Sequence, residues 1–216
     1  MGKNILVVAA TAKEIDPFIE LVRTGHLNNN IDILISGIGL TASTYHLSKQ
    51  IALKKYDLVI QAGVAGSFDL RSPLGAVVAV NQDAIADQSV VELQKLKTLF
   101  DLKLVPQDQY PYKKGWLINP NKEILKKTKL KTVRGISVNQ ISTSKQMIKF
   151  YRAVFDPVTE SMEGAALHYV CLMENLPFVQ VRSISNYIGE RNKKKWDMNK
   201  SIANLNVALT TLINNY

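Results

Sequence analysis

Apolar runs of strand length, alternating with segments of helical period, constrain this chain more than anything else in it. Residues 4–10 are continuously apolar after Asn4, and Ile15, Phe18, Ile19 and Val22 follow at helical spacing. Residues 31–35 are strand-like and 41–54 helical. Residues 58–62 form another buried strand, ending in Gly63-Val64-Ala65-Gly66. Further strands are predicted at 75–80, 133–138 and 178–184, and helices at 144–152, 163–175 and 199–213. Leu176-Pro177 closes the second of these helices, because a residue before proline avoids helical backbone. Residues 81–119 are less regular, with Pro106 and Pro111, and read as excursion loops plus a short helix. This order predicts an α/β fold: a three-layer α/β/α sandwich around a central mixed, largely parallel twisted sheet. With 216 residues and no linker or repeat, one domain over 1–216 is expected.

In such a sheet, ligands bind at the carboxyl ends of the strands. Four segments fall there: 9–14, 36–39, 63–66 and 185–186. Bulk properties narrow what they serve. No run of 18 or more apolar residues is present, so no transmembrane helix is expected. Residues 5–10 are too short for a signal-peptide core. Leu6 stands where an N-myristoylation signal at Met1-Gly2 needs Ser or Thr. The single Cys171 excludes a disulfide scaffold or a cysteine zinc site within one chain, and a cytoplasmic location is the simplest reading. His26, His46 and His168 have no metal-ligand spacing. The net charge of +9 comes from scattered basic residues with no aromatic-interleaved stripe, so neither nucleic acid nor membrane is an expected partner. Gly37-Ile38-Gly39 lacks the acidic residue that a dinucleotide fingerprint requires downstream.

Several residues admit two readings. Glu163 shares a helix face with Ala166, Leu167 and Val170. It is a dipole-favoured helix-start residue, or a carboxylate whose two oxygens accept the vicinal hydroxyls of a ribose. Glu14 completes a capping box with Thr11. Alternatively the helix starts at Asp16-Pro17 and leaves Glu14 free to face a ligand. Asn186 is a turn-tolerant residue, or an amide facing a base. Arg182 interrupts an apolar strand and is expected to pair with a carboxylate. Val64 and Ala65, between two glycines, allow close backbone approach to a flat ring.

Taken together, Ser36-Gly37-Ile38-Gly39, Gly63-Val64-Ala65-Gly66, Ser161-Met162-Glu163-Gly164-Ala165-Ala166 and Arg182-Ser183-Ile184-Ser185-Asn186 resemble the nucleoside phosphorylase and nucleosidase superfamily. The motifs stand in the right order over nearly the whole chain. Within it, Tyr187-Ile188-Gly189 followed by Arg191 and Trp196 is most similar to the futalosine hydrolases of menaquinone biosynthesis. The methylthioadenosine and S-adenosylhomocysteine nucleosidases are near relatives.

The resemblance implies roles. Glu14 matches the acid/base carboxylate that activates water, and Arg182 a supporting group beside it. Glu163 matches the carboxylate on the ribose hydroxyls, and Met162 the residue packed on the sugar. Val64, Ala65 and Gly66 line the site. Ile141 and Ser142 fall at the base, in a segment without the aromatic that stacks there in relatives. Asn186 stands where adenine-specific nucleosidases carry Asp. An amide donates to O6 of hypoxanthine and accepts from its protonated N7. The implied reaction is hydrolysis of futalosine with release of hypoxanthine. The alternatives are an adenine-releasing nucleosidase and a phosphorylase; residues 9–14, with neither Gly nor Arg, disfavour a phosphate cradle. A nucleoside partner, a homodimer, and no cofactor or metal are the matching expectations. Arg191 or Lys193–Lys195 would meet the carboxylate in the tail of futalosine, although a solvated basic loop is the plainer reading.

Overall fold

The computed structural model describes residues 2–25, 27 and 29–216, so Met1, His26 and Asn28 lie outside the described residues. Among the described residues, ten strands and six α-helices follow in chain order. They are β1 Asn4–Ala9, α1 Ala12–Arg23, β2 Asn30–Ile35, α2 Leu40–Leu53, β3 Leu58–Ser67, β4 Val77–Asp83, β5 Ser89–Glu92, β6 Lys95–Thr98, β7 Leu117–Ile118, α3 Lys122–Lys127, β8 Lys131–Ser137, α4 Lys145–Phe155, β9 Thr159–Ser161, α5 Gly164–Met173, β10 Phe178–Tyr187 and α6 Met198–Asn214.

The main sheet is mixed and largely parallel, as the alternation predicts. β1 pairs β2 and β3 in parallel, β3 pairs β10 in parallel, and β8 pairs β4 and β9 in parallel. β10–β4, β3–β9 and β4–β7 are antiparallel. Side-chain alternation along β1 sorts the layers. Ile5, Val7 and Ala9 pack with Phe18 of α1 and Leu205 and Leu209 of α6. Leu6 and Val8 pack on the opposite face with Leu47 of α2 and Leu167 and Val170 of α5. Helices therefore cover both faces, which allows apolar strands without a polar side.

The sandwich description needs one refinement. Pairings run β3–β10, β10–β4, β4–β8, β8–β9 and β9–β3, so five strands close a ring, with β1 and β2 extending from it. The long strands β3 and β10 make this possible. Along one edge of β3, residues 58–61 pair β1, whereas Gly66 and Ser67 pair β9.

Three sequence expectations are corrected here. The strand predicted at 58–62 does not end at Gly63 to Gly66: β3 runs on to Ser67 because β10 pairs with it that far. By the same pairing the strand predicted at 178–184 runs on to Tyr187, so Asn186 lies inside β10, just past a bulge at Ser185. Residues 81–119 hold no helix: β4 extends to Asp83, β5 and β6 form a hairpin, and β7 joins β4, while the short helix lies beyond, at α3. The hairpin turn uses Leu93 and Gln94 at φ of 48° and 60°. Such a turn normally advertises itself with Asn or Gly.

Candidate active site

The carboxyl ends of β1, β3 and β10 open into a cavity of about 270 Å³. Glu14 comes from the start of α1, Val64, Ala65 and Gly66 from β3, and Glu163 from the head of α5. Asn186 and Ile188 come from β10 and its end. Ile38 and Ile141, 62% and 44% exposed, flank the mouth with Arg191, Trp196 and Met198.

Glu14 caps the helix and also lines the cavity. Its Oε2 accepts from the Thr11 N–H and hydroxyl, each at 3.1 Å, which is one arm of the capping box. Its Oε1 accepts from the Val64 N–H at 3.0 Å across the cavity floor. The helix does break where Asp16-Pro17 suggests: Ile15 leaves helical backbone at φ −127° and ψ 18°. The break is held by Asn206 of α6. The Phe18 N–H, which in a regular helix would reach the Glu14 carbonyl, donates to Asn206 Oδ1 at 3.0 Å. Asn206 Nδ2 then donates to that carbonyl at 3.0 Å. An inserted amide kinks a helix in this way.

Glu163 is 6% exposed. Oε1 accepts from the Gly39 N–H at 3.1 Å, and Oε2 lies 3.6 Å from Arg182. Gly39 adopts φ 91°, a backbone that L side chains rarely take, to present that N–H. Burial pushes the Glu163 carboxyl up from its ordinary range, and Arg182 and the Gly39 N–H pull it back. Arg182 has the carboxylate partner that the sequence predicts. It is 1% exposed and also donates to Gln61 Oε1 at 2.7 Å. Gly63 makes room for it: a Cβ there would lie 2.4 Å from an Arg182 nitrogen and 3.0 Å from Glu14 Oε1. Arg182 thus pairs with Glu163, and the negative charge of Glu14 lies near enough to push the Glu163 carboxyl up further.

Asn186 lines the cavity with its Oδ1 accepting from the Ser185 hydroxyl at 2.9 Å and its Nδ2 donating to the Tyr187 carbonyl at 3.3 Å. Each atom keeps capacity for one more bond. Met162 also lines the cavity. Ser142 does not: it is buried against Glu160, with its N–H on Oε1 at 3.0 Å and its hydroxyl on Oε2. Glu160 is the residue that sequence reasoning passed over. It lines the cavity at 5% exposure, and burial raises its carboxyl above the ordinary range. A carboxylate two residues before Met162 was the available signal. Lys195 is tied to Glu190 at 2.7 Å, while Arg191 lies over the Trp196 ring at 5.6 Å and lines the cavity.

A family model described as the phosphorylase superfamily matches residues 5–214. The futalosine hydrolase of Streptomyces coelicolor is 24% identical over 97% of this chain and 94% of its own length. Among solved structures, the 5′-methylthioadenosine/S-adenosylhomocysteine nucleosidase of Helicobacter pylori, bound to butyl-thio-DADMe-Immucillin-A, superposes with a TM-score of 0.83 at 22% identity over the whole of both chains. The native futalosine hydrolase of Helicobacter pylori does so with a TM-score of 0.79 at 22% identity, over 99% of this chain and 98% of that one. The chain belongs to the phosphorylase superfamily.

Proposed function

We propose that this member of the phosphorylase superfamily hydrolyses the N-glycosidic bond of futalosine, releasing hypoxanthine and dehypoxanthine futalosine. The observation that carries the reading is the pair of carboxylates lining the cavity, Glu14 and Glu163, the second backed by buried Arg182, with the Asn186 amide lining the same cavity. The curated relative named above is a futalosine hydrolase, which favours that substrate.

In this mechanism the glycosidic bond breaks as positive charge builds on the ribose. Glu163 holds the 2′- and 3′-hydroxyls, and its negative charge also opposes that developing cation. Met162 packs against the sugar. Glu14 takes a proton from the attacking water, a contribution of roughly 10²–10⁴-fold for a positioned base. Arg182, 3.6 Å from Glu163, offsets the repulsion between the two carboxylates. Asn186 receives the departing base: Nδ2 donates to O6 and Oδ1 accepts from the protonated N7. Arg191, stacked on Trp196 at the mouth, meets the carboxylate in the substrate tail. Within the described residues, no helix is long and apolar enough to cross a membrane. A homodimer in the cytoplasm, one catalytic domain per chain and no cofactor complete the proposal.

Base release from futalosine, methylthioadenosine and inosine, offered separately in phosphate-free buffer, tests it. Hypoxanthine from futalosine is the expected result. Adenine released from methylthioadenosine, with futalosine untouched, would replace this reading by the adenine-releasing one.

A further inference from the structure

We propose that Ser137 is a positioning residue for Glu163: its hydroxyl, oriented by Asp83, caps helix α5 in place of Glu163 and leaves that carboxylate to the ribose. This role rests on the nucleosidase reading above and deepens it.

The residue at the head of a helix ordinarily turns its side chain back onto the second or third N–H of the first turn, and Ser, Thr, Asp and Asn do this best. Glu163 stands at that position of α5 and makes no such bond. Its oxygens go instead to the Gly39 N–H and towards Arg182, and the residue lines the cavity. The N–H groups of the first turn are buried all the same and need acceptors. Two serines outside the helix supply them. The Ala165 N–H donates to Ser137 Oγ of β8 at 2.8 Å, and the Gly164 N–H donates to Ser161 Oγ of β9 at 3.3 Å.

Ser137 makes the shorter bond and is itself firmly held. It is fully buried. Its N–H donates to the Ala84 carbonyl at 2.8 Å, and its carbonyl accepts from the Ala86 N–H at 3.0 Å. A hydroxyl has one proton and can turn. The Ala165 N–H can only donate, so the Ser137 proton must point elsewhere, and Asp83 Oδ1 accepts it at 3.0 Å. Asp83 thereby keeps a lone pair of Ser137 aimed at α5. Gly164 lets these groups reach the helix head, since a Cβ there would collide with Asp83 Oδ2.

The result is a division of labour. Ala165 follows Glu163 by two residues, so the bond from Ser137 also fixes the backbone from which the Glu163 carboxylate reaches the cavity. A carboxylate that caps no helix keeps its free lone pairs for a ligand. Ser137 touches no substrate in this scheme and acts only through Glu163.

The test is the ratio of kcat/KM for futalosine to that for 2′-deoxyfutalosine. It is measured for the full-length wild type, Ser137→Ala, Ser137→Thr, Glu163→Gln and the double variant, with melting curves alongside. Removing the 2′-hydroxyl removes one of the groups that Glu163 holds. Ser137→Ala should therefore lower the ratio by roughly 10-fold or more, towards the upper limit of about 100-fold for a hydrogen bond to a charged group. Ser137→Thr keeps the hydroxyl and should restore the ratio, whatever its extra methyl does to the melting temperature. In the Glu163→Gln background, Ser137→Ala should leave the ratio nearly unchanged, because residues that act as one are not additive. A lower melting temperature with the wild-type ratio marks a merely structural serine and overturns this inference alone. Should Ser137→Ala not fold, Ser137→Cys takes its place, because sulfur accepts only weakly; a lowered ratio supports the role and an unchanged one overturns it. A wild type that releases base from neither nucleoside overturns the nucleosidase reading and this inference together.

Discussion

Each oxygen of Glu14 has its own task. Oε2 caps the helix through Thr11, and Oε1 spans to the Val64 N–H at the cavity floor. A residue anchored so is fixed in position before any substrate arrives, which is what a general base needs. Glu14→Gln keeps the volume but cannot take up a proton. It is expected to lower futalosine turnover by about 10²–10⁴-fold while Glu163 and Asn186 still bind the nucleoside. Single-turnover rates measured beside nucleoside affinity check this, and a variant with wild-type turnover would remove Glu14 from the mechanism. At this scale the sequence was readable where local chemistry decides. A buried Arg182 had to find a carboxylate, and it found Glu163. Glu160 was not readable, because its burial at the cavity wall depends on Ser142, eighteen residues earlier, and no local pattern records that pairing.

Among the elements, α1 and α6 are coupled by one side chain. Asn206 replaces the missing helical bond between Phe18 and Glu14, and so sets the angle at which the Glu14 turn meets the cavity. Asn206→Leu, close in volume, leaves the Phe18 N–H and the Glu14 carbonyl without that bridge. The expected cost is about 1–3 kcal/mol for each group left buried and unsatisfied. Turnover is expected to fall with it, since the Glu14 backbone is free to shift. Chemical denaturation and kcat at saturating substrate measure the two effects, and an unchanged kcat would show that the kink does not place Glu14. Sequence pattern located both helices but not the bond between them, which joins residues far apart in the chain. The hairpin of β5 and β6 was hidden for a different reason. Its turn residues, Leu93 and Gln94, carry none of the usual preference for positive φ, so the chain there looks irregular until its partner strand is seen.

Across the whole molecule, a buried polar pair joins β4 and β8 of the closed ring. Asp83 is fully buried there and accepts from Ser137 at 3.0 Å. Burial pushes its carboxyl from the ordinary 3.8 to about 6, against the pull of Ser137 and Arg182. The folded protein therefore holds this proton more tightly than the unfolded chain does. The stabilisation is fully present below about pH 4 and is lost as pH rises through about 6. Asp83→Asn stays neutral throughout and lacks this dependence. Relative to it, the wild type should lose roughly 3 kcal/mol between pH 4 and pH 7. Melting curves of both proteins across that window give the comparison, and parallel pH profiles would contradict the account. The three layers and the largely parallel sheet were legible because strand-length apolar runs alternate with helical segments. Ring closure was not, since it depends on how far two long strands bend.

The central claim is that water, activated at Glu14, displaces hypoxanthine from the ribose. The most direct measurement is turnover of futalosine in heavy-oxygen water with phosphate also present, followed by mass spectrometry of the sugar product. The account predicts a free sugar carrying the label at its anomeric hydroxyl, with hypoxanthine released in equal amount. An unlabelled sugar 1-phosphate would contradict it and place the protein among the phosphorylases.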